Sequence, residues 1–223
     1  MDRPALLAPS YLKDPDAIYR ASFAAIRDAA SIDALPADVQ PLALRLIHTC
    51  GMPDILDDLT LTKGAVQAGR DAIAAGKPIL VDATMVAAGI TKRFLQAKNE
   101  IICTLNDERT RSLAEAMRTT RSAAAVDLWE PHLDGAVVAI GNAPTALFRL
   151  LELLEAGSPH PALILGFPVG FVGAAESKEA LIDQAGDVPV VALRGRRGGS
   201  AMASAAINAL ALAGDRAEMG VTA

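Results

Sequence analysis

Residues 136–165 read AVVAIGNAPTALFRLLELLEAGSPHPALIL. The apolar run Ala136–Ile140 breaks at Gly141-Asn142, and Pro144 follows at the start of a helix-period stretch over 143–156. A second apolar run, Ala162–Leu165, comes next. Neither run alternates with polar residues, which is how a strand covered on both faces reads. Strand, helix and strand in this order form a βαβ unit, and its two strands run parallel.

The pattern extends in both directions. Pro78–Asp82 (PILVD), Glu100–Leu105 (EIICTL) and Val188–Leu193 (VPVVAL) read as further buried strands, with helices near 84–97, 108–130, 175–185 and 200–213. Three helices precede them. The first starts at Asp14 as N-cap with Pro15 behind it, the second spans about Ala37 to Cys50 before Gly51, and the third lies between Thr62 and Ala75 before Gly76. The expected fold is α/β, a three-layer αβα sandwich with a mainly parallel sheet of about five strands. With no repeat or linker-like stretch, residues 1–223 are expected to form a single domain with short tails.

Composition narrows the function. The chain has 223 residues, is 52% hydrophobic and carries a net charge of −5, which excludes a disordered chain and argues against a nucleic-acid binder. No apolar run reaches the roughly 18 residues of a membrane span, and the opening MDRPALLAPSYLKD is too short and interrupted for a secretory signal. Cys50 and Cys103 form neither a disulfide framework nor a metal-ligand spacing. A cytoplasmic protein with reduced thiols and no metal is expected. Aromatic residues make up only 4%, so a flat ligand is expected to be held by aliphatic walls and its polar edge rather than by stacking.

In parallel sheets ligands bind beyond the carboxyl ends of the strands. The last of these ends, Arg194-Gly-Arg196-Arg197-Gly198-Gly199-Ser200, interleaves cations with glycines just before an alanine-rich helix. Glycines admit backbone N–H groups to an anion, and guanidinium forks bind carboxylate or phosphate. A solvated turn with a serine cap is the plain alternative, but cations at a helix start oppose its dipole, which favours an anion site. Arg121 repeats that oddity behind Thr119-Thr120, which read as an N-cap.

His48 lies opposite the apolar stripe of its helix, in the last turn before Gly51, where the dipole favours an imidazolium. It is a candidate proton donor. His132 and His160 sit in proline-containing connections and are assigned no role. Ser22 falls on the apolar stripe of the first helix, where a serine usually bonds back to its own backbone. Asn142 reads as a helix cap at a strand's carboxyl end. The run from Gly166 to Gly173 has GxxxGxxG spacing rather than GxGxxG, and no Walker loop, GxSxG elbow or HExxH occurs.

The segments LRLIHTCGMPDI, GKPILVDATMVAAGI, NEIICTLND, TTRSAAAVDLW, AIGNAPTALFRLLELLEAG, ILGFPVGFVGAAESKEAL and RGRRGGSAMASAAINAL resemble the precorrin-8X methylmutase family of cobalamin biosynthesis, from about Tyr11 to Leu212. One departure is Thr84, where the family often has an acid. The resemblance implies an isomerase that moves a methyl group from C-11 to C-12 of a corrin precursor, precorrin-8X, to give hydrogenobyrinate. It also implies a homodimer with a tetrapyrrole substrate and no metal or nucleotide cofactor. His48 is then the acid/base residue, and Ser22 and Arg121 become candidate substrate contacts. Asn142, Arg194, Arg196, Arg197, Gly199 and Ser200 are the remaining candidates, as partners for the carboxylates around a tetrapyrrole rim. Three alternatives stay open: the cobalt-containing substrate of the anaerobic branch, a non-catalytic tetrapyrrole carrier, and an enzyme using a nucleotide or S-adenosylmethionine.

Overall fold

Along the chain the elements are α1 (Pro15–Ala29), α2 (Gln40–Cys50), β1 (Leu59–Leu61), α3 (Ala65–Ala74), β2 (Ile79–Val81), α4 (Thr84–Gly89), β3 (Ile101–Ile102), α5 (Glu108–Met117), α6 (Arg121–Asp127), β4 (Val137–Ile140), α7 (Pro144–Glu155), β5 (Leu163–Gly166), α8 (Ala174–Gln184), β6 (Val190–Leu193) and α9 (Ser200–Ala211). The computed structural model describes residues 11–212. The opening MDRPALLAPS and the last position of the helix expected over 200–213 lie outside them.

Six strands form one sheet in the order β1-β6-β5-β4-β2-β3. All neighbours are parallel except β1, which runs antiparallel to β6. Side chains alternate strictly between two cores. Ile79, Val81, Val137, Ala139, Leu163, Leu165, Val191 and Leu193 enter the core shared with α1, α2, α3, α4 and α9. Leu80, Val138, Ile140, Ile164, Val190 and Ala192 enter the other, under α6, α7 and α8. This period of two explains the unbroken apolar runs, since both faces of each central strand are covered. The expected αβα sandwich is thus observed.

The sheet holds one strand more than the five expected. Leu59–Leu61 is half-buried, short and alternating, the pattern of an edge strand with little apolar signal. Thr62 extends its ladder: the Thr62 N–H donates to Val190 O at 3.0 Å, and Val190 N–H donates to Thr62 Oγ1 at 2.9 Å. That pairing is why α3 begins at Ala65, not at Thr62. Likewise α2 begins at Gln40, after a turn over Pro36–Val39. The helix expected over 84–97 ends at Gly89, where α9 packs so closely that a Cβ would collide with Ser204. The helix expected over 108–130 divides at Arg118, which adopts φ 52°, and restarts with Thr120 Oγ1 accepting from Ala123 N–H.

The chain runs from β2 outward to β3, then returns to the opposite side of β2 to form β4. The carboxyl ends of β2 and β4 therefore flank the crevice where sheets of this kind usually bind anions. Here Asp82 occupies it. Its carboxylate accepts N–H bonds from Gly141 (2.9 Å), Asn142 (2.9 Å) and Ala143 (2.8 Å). Asn142 is therefore not the cap of α7. Ala143 is the N-cap residue, and the carboxylate that satisfies this helix start comes from another strand.

Candidate active site

α1 and α2 pack together so that Ser22 and His48 meet: Ser22 Oγ lies 2.8 Å from His48 Nδ1. Ser22 thus spends its hydroxyl across the helix interface and not on its own backbone. Tyr19 stacks on the imidazole at 5.3 Å between centroids, and Phe23 meets it edge-on at 5.5 Å. With positions 19, 22 and 23 on one helix face, α1 supplies a hydroxyl and two rings that fix the histidine. His48 is half-buried and faces α1 and a cavity rather than bulk solvent.

That cavity has a volume of about 230 Å³ and is lined by Tyr19, Arg45, His48, Thr49, Thr91, Arg93, Phe94, Ala205 and Asn208. It contains two guanidinium groups and no carboxylate. A chain of net charge −5 therefore keeps a locally positive pocket. Three of the eight aromatic residues, Tyr19, Phe23 and Phe94, gather on or beside His48, so the low aromatic content conceals a concentrated cluster. Because Ala205 and Asn208 lie five and eight residues into α9, the cavity sits about 7–12 Å along that helix from its start. The histidine is on the flank of the helical layer, not directly above the strand ends.

Burial lowers the His48 pKa, and the neighbouring Arg45 charge lowers it further. Both causes act against the helix-end dipole, which favours an imidazolium. They favour the neutral ring over the imidazolium.

The arginine-rich loop is less free than its sequence suggests. Arg194 pairs with Glu179 and donates from Nε to Thr60 Oγ1 at 3.2 Å. Arg197 pairs with Asp54 at 2.5 Å and Asp58 at 2.6 Å, and these partners raise its pKa. Lys178, fully buried, donates from Nζ to Arg197 O at 2.7 Å. Acids from distant segments thus neutralise charges that look unopposed along the loop. Arg196 differs, being exposed and lying over the Phe171 ring at 5.4 Å. The backbone of the loop is zipped to the one after β5. Gly199 N–H donates to Phe167 O at 2.8 Å and Gly170 N–H to Arg196 O at 3.2 Å, while a Cβ at Gly198 would strike the Phe167 and Pro168 carbonyls. Gly199, at φ 126°, is the N-cap residue of α9, and Ser200 opens the helix without capping it.

Arg121 lines a separate open groove of about 550 Å³ together with Asn106, Asp107, Arg111, Ala114, Glu115 and Thr119. Its Nη2 donates to Leu105 O and Asn106 Oδ1, both at 2.9 Å, which offsets its unfavourable place in the first turn of α6. Asn142 is exposed, and its backbone serves Asp82. Within one chain, then, Ser22 and His48 come together, whereas Arg121 and the loop after β6 lie outside their cavity. Sequence reasoning passed over Arg45, although it stands three residues before His48 and so shares its helix face.

Fold and site together define an α/β protein with a half-buried imidazole at the wall of a positively charged pocket, the arrangement of a small-molecule enzyme. The chain belongs to the precorrin-8X methylmutase family, methyl-transferring isomerases of cobalamin biosynthesis; the family's model matches residues 17–213. A precorrin-8X methylmutase of Pseudomonas aeruginosa is 60% identical over 201 residues, covering 90% of this chain and 97% of that protein. One from Sinorhizobium sp is 52% identical over 204 residues, with 92% and 97% covered. A crystal structure of precorrin-8x methyl mutase from Thermus thermophilus superposes with a TM-score of 0.80 at 38% identity, covering 92% of this chain and 97% of that one. Among the described residues no helix is long and apolar enough to cross a membrane.

Proposed function

We propose that this chain moves the methyl group of precorrin-8X from C-11 to C-12, giving hydrogenobyrinate, with His48 as the proton donor. The observation that carries the reading is the Ser22–His48 pair, 2.8 Å apart, at the wall of a cavity with two arginines and no acid. In the imidazolium form Nδ1–H donates to Ser22 Oγ, which leaves Nε2–H for the substrate. Protonating a ring nitrogen beside the migrating centre weakens the old C–CH₃ bond. The methyl then shifts within the molecule, the proton returns to His48, and product and substrate are isomers. Such a shift needs no nucleophile, hydride or metal, and general-acid assistance contributes about 10²–10⁴-fold. Holding the macrocycle in one geometry supplies the remainder.

A cavity of about 230 Å³ is smaller than a drug-sized ligand fills, so it takes one edge of the ring. The rest of the macrocycle lies along Arg196, Gly199, Ser200 and Arg121, or against the second subunit of a homodimer working in the cytoplasm. Each protomer acts as a single domain over 1–223. The relatives at 60% and 52% identity are both named for precorrin-8X, which supports the metal-free substrate. The deciding experiment supplies precorrin-8X and follows its spectrum. Catalytic amounts of wild-type protein should convert it, and His48→Ala should abolish turnover while largely sparing product binding. A carrier would give only a stoichiometric change, and near-normal turnover by His48→Ala would refute the assigned role.

A further inference from the structure

Lys178 lies on α8 with its whole side chain buried, a rare setting for a lysine. Its Nζ donates to Arg197 O at 2.7 Å, its one hydrogen bond among the described residues. That carbonyl is in the loop over 194–199, between the exposed Arg196 and the start of α9. Three of the six loop residues are glycines, so the backbone has much freedom to lose. Two bonds tie it to the loop after β5, Gly199 N–H to Phe167 O and Gly170 N–H to Arg196 O, and Lys178 adds a third tie from beneath. A methionine would fill the same space without the cost of burying an ammonium. What the lysine adds is the charge and the bond. We propose that Lys178 is a positioning residue for the substrate: it holds the loop after β6 in the shape that presents Arg196 to a substrate carboxylate, and supplies the positive charge that the loop otherwise lacks. The proposal rests on the methylmutase reading given above.

The charges around the loop support this role. Lys178, Arg194, Arg196 and Arg197 stand against Asp54, Asp58 and Glu179, four cations to three carboxylates. One positive charge is left over, and an anionic substrate meets it at Arg196. Asp58 and Glu179 both act on the ammonium, yet burial outweighs them and pulls its pKa down from 10.5 to about 8. α7, also packed on α8, turns its Arg149 to Asp127 and Glu152 instead. As pH rises through about 8 the ammonium loses its proton, the surplus charge disappears, and the bond to Arg197 O becomes a neutral one. An anionic substrate therefore binds more tightly below that pH than above it.

The test measures hydrogenobyrinate binding by the full-length protein across about pH 7–9.5, with precorrin-8X turnover followed alongside. Wild-type affinity should fall by about 5- to 10-fold, the difference between a charge-assisted and a neutral hydrogen bond. Lys178→Met should bind about 5- to 10-fold more weakly at the low end and show no such fall. Lys178→Arg keeps its charge throughout, so it should bind as wild type at the low end and hold that affinity to the top. Other groups, His48 included, titrate alike in all three proteins. Lys178 is under the opposite face of the sheet from α2 and His48, so Lys178→Met should raise KM and leave kcat within about twofold. Plain destabilisation would instead lower kcat through loss of folded protein and leave the pH profile of binding unchanged. A flat wild-type profile, or a fall that Lys178→Met or Lys178→Arg reproduces, would overturn the assignment while leaving the methylmutase reading intact. Wild type that neither binds hydrogenobyrinate nor converts precorrin-8X would sink both. The wild-type profile requires no variant, so a poorly folding substitution does not block the decision.

Discussion

Replacing Asp82 by Ala removes the single carboxylate that serves Gly141, Asn142 and Ala143 at the start of α7. Each hydrogen bond to a charged acceptor contributes about 1.5–3 kcal/mol, so three amount to roughly 4.5–9 kcal/mol. Burial offsets part of this, because desolvation pushes the Asp82 carboxyl above its ordinary pKa even with three amides opposing it. The net loss on stranding these amides is about 3–5 kcal/mol, since each buried donor left unsatisfied costs about 1–3 kcal/mol and relief of the carboxylate's desolvation offsets part of the sum. For a domain of this size each kcal/mol shifts the midpoint by about 2–4 °C, so Tm should fall by about 6–20 °C. Circular-dichroism melts of wild type, Asp82→Ala and Asp82→Asn measure it. Asn keeps one acceptor but turns an NH₂ toward an N–H, and should fall between the other two. Added phosphate should raise the Tm of Asp82→Ala more than that of wild type, by refilling the vacated nest. An Asp82→Ala midpoint within about 2 °C of wild type would refute the assigned role.

Three further outcomes follow from the geometry. Ser22→Ala removes the 2.8 Å contact that holds the His48 ring, and kcat should drop by about 10- to 150-fold, the equivalent of one hydrogen bond to a charged group; unchanged kcat would mean that packing against Tyr19 and Phe23 suffices. Lys178 is buried with its pKa pulled down from 10.5 to about 8, so the unfolded chain binds more protons between these values. Its burial penalty is full below pH 8 and lifts as pH rises toward 10.5, so the unfolding free energy of wild type minus that of Lys178→Met should increase across this window; a flat difference would contradict it. Arg196→Ala should weaken hydrogenobyrinate binding more than Arg194→Ala or Arg197→Ala, since the latter two are committed to Glu179, Asp54 and Asp58. The reverse order of dissociation constants would return those two arginines to the ligand.

What was legible in the sequence has a common physical character. The central strands announced themselves because both faces are covered, and the N-caps at Asp14 and Thr120 because capping is a local hydrogen bond. β1 was hidden because an edge strand of Leu-Thr-Leu carries almost no apolar signal. The left-handed turn at Arg118 has no glycine to mark it, and only the Thr119-Thr120 cap signals that a helix restarts there. His48 and Ser22 were singled out, yet their contact spans 26 positions and appears only when α1 lies on α2. The acids that oppose the basic loop were hidden for the same reason, because they enter from α8 and from the turn over Pro53–Asp57. Local pattern fixes hydrogen bonds within a turn, whereas the balance of charge at a site depends on which distant segments fold against it.

The alanine-rich helix α9 is buried over almost its whole surface, packed against α2, α3, α4, β4 and β5. A rod so enclosed neither slides nor tilts without opening both its flanks. Its first residue, Ser200, emerges from the glycine-rich loop, and Asn208 walls the His48 cavity. Eight residues at the helical rise separate them by about 12 Å. That length is a gauge built into the fold: a molecule touching both ends of α9 must have that span. A molecule shorter than that meets only one end of the helix.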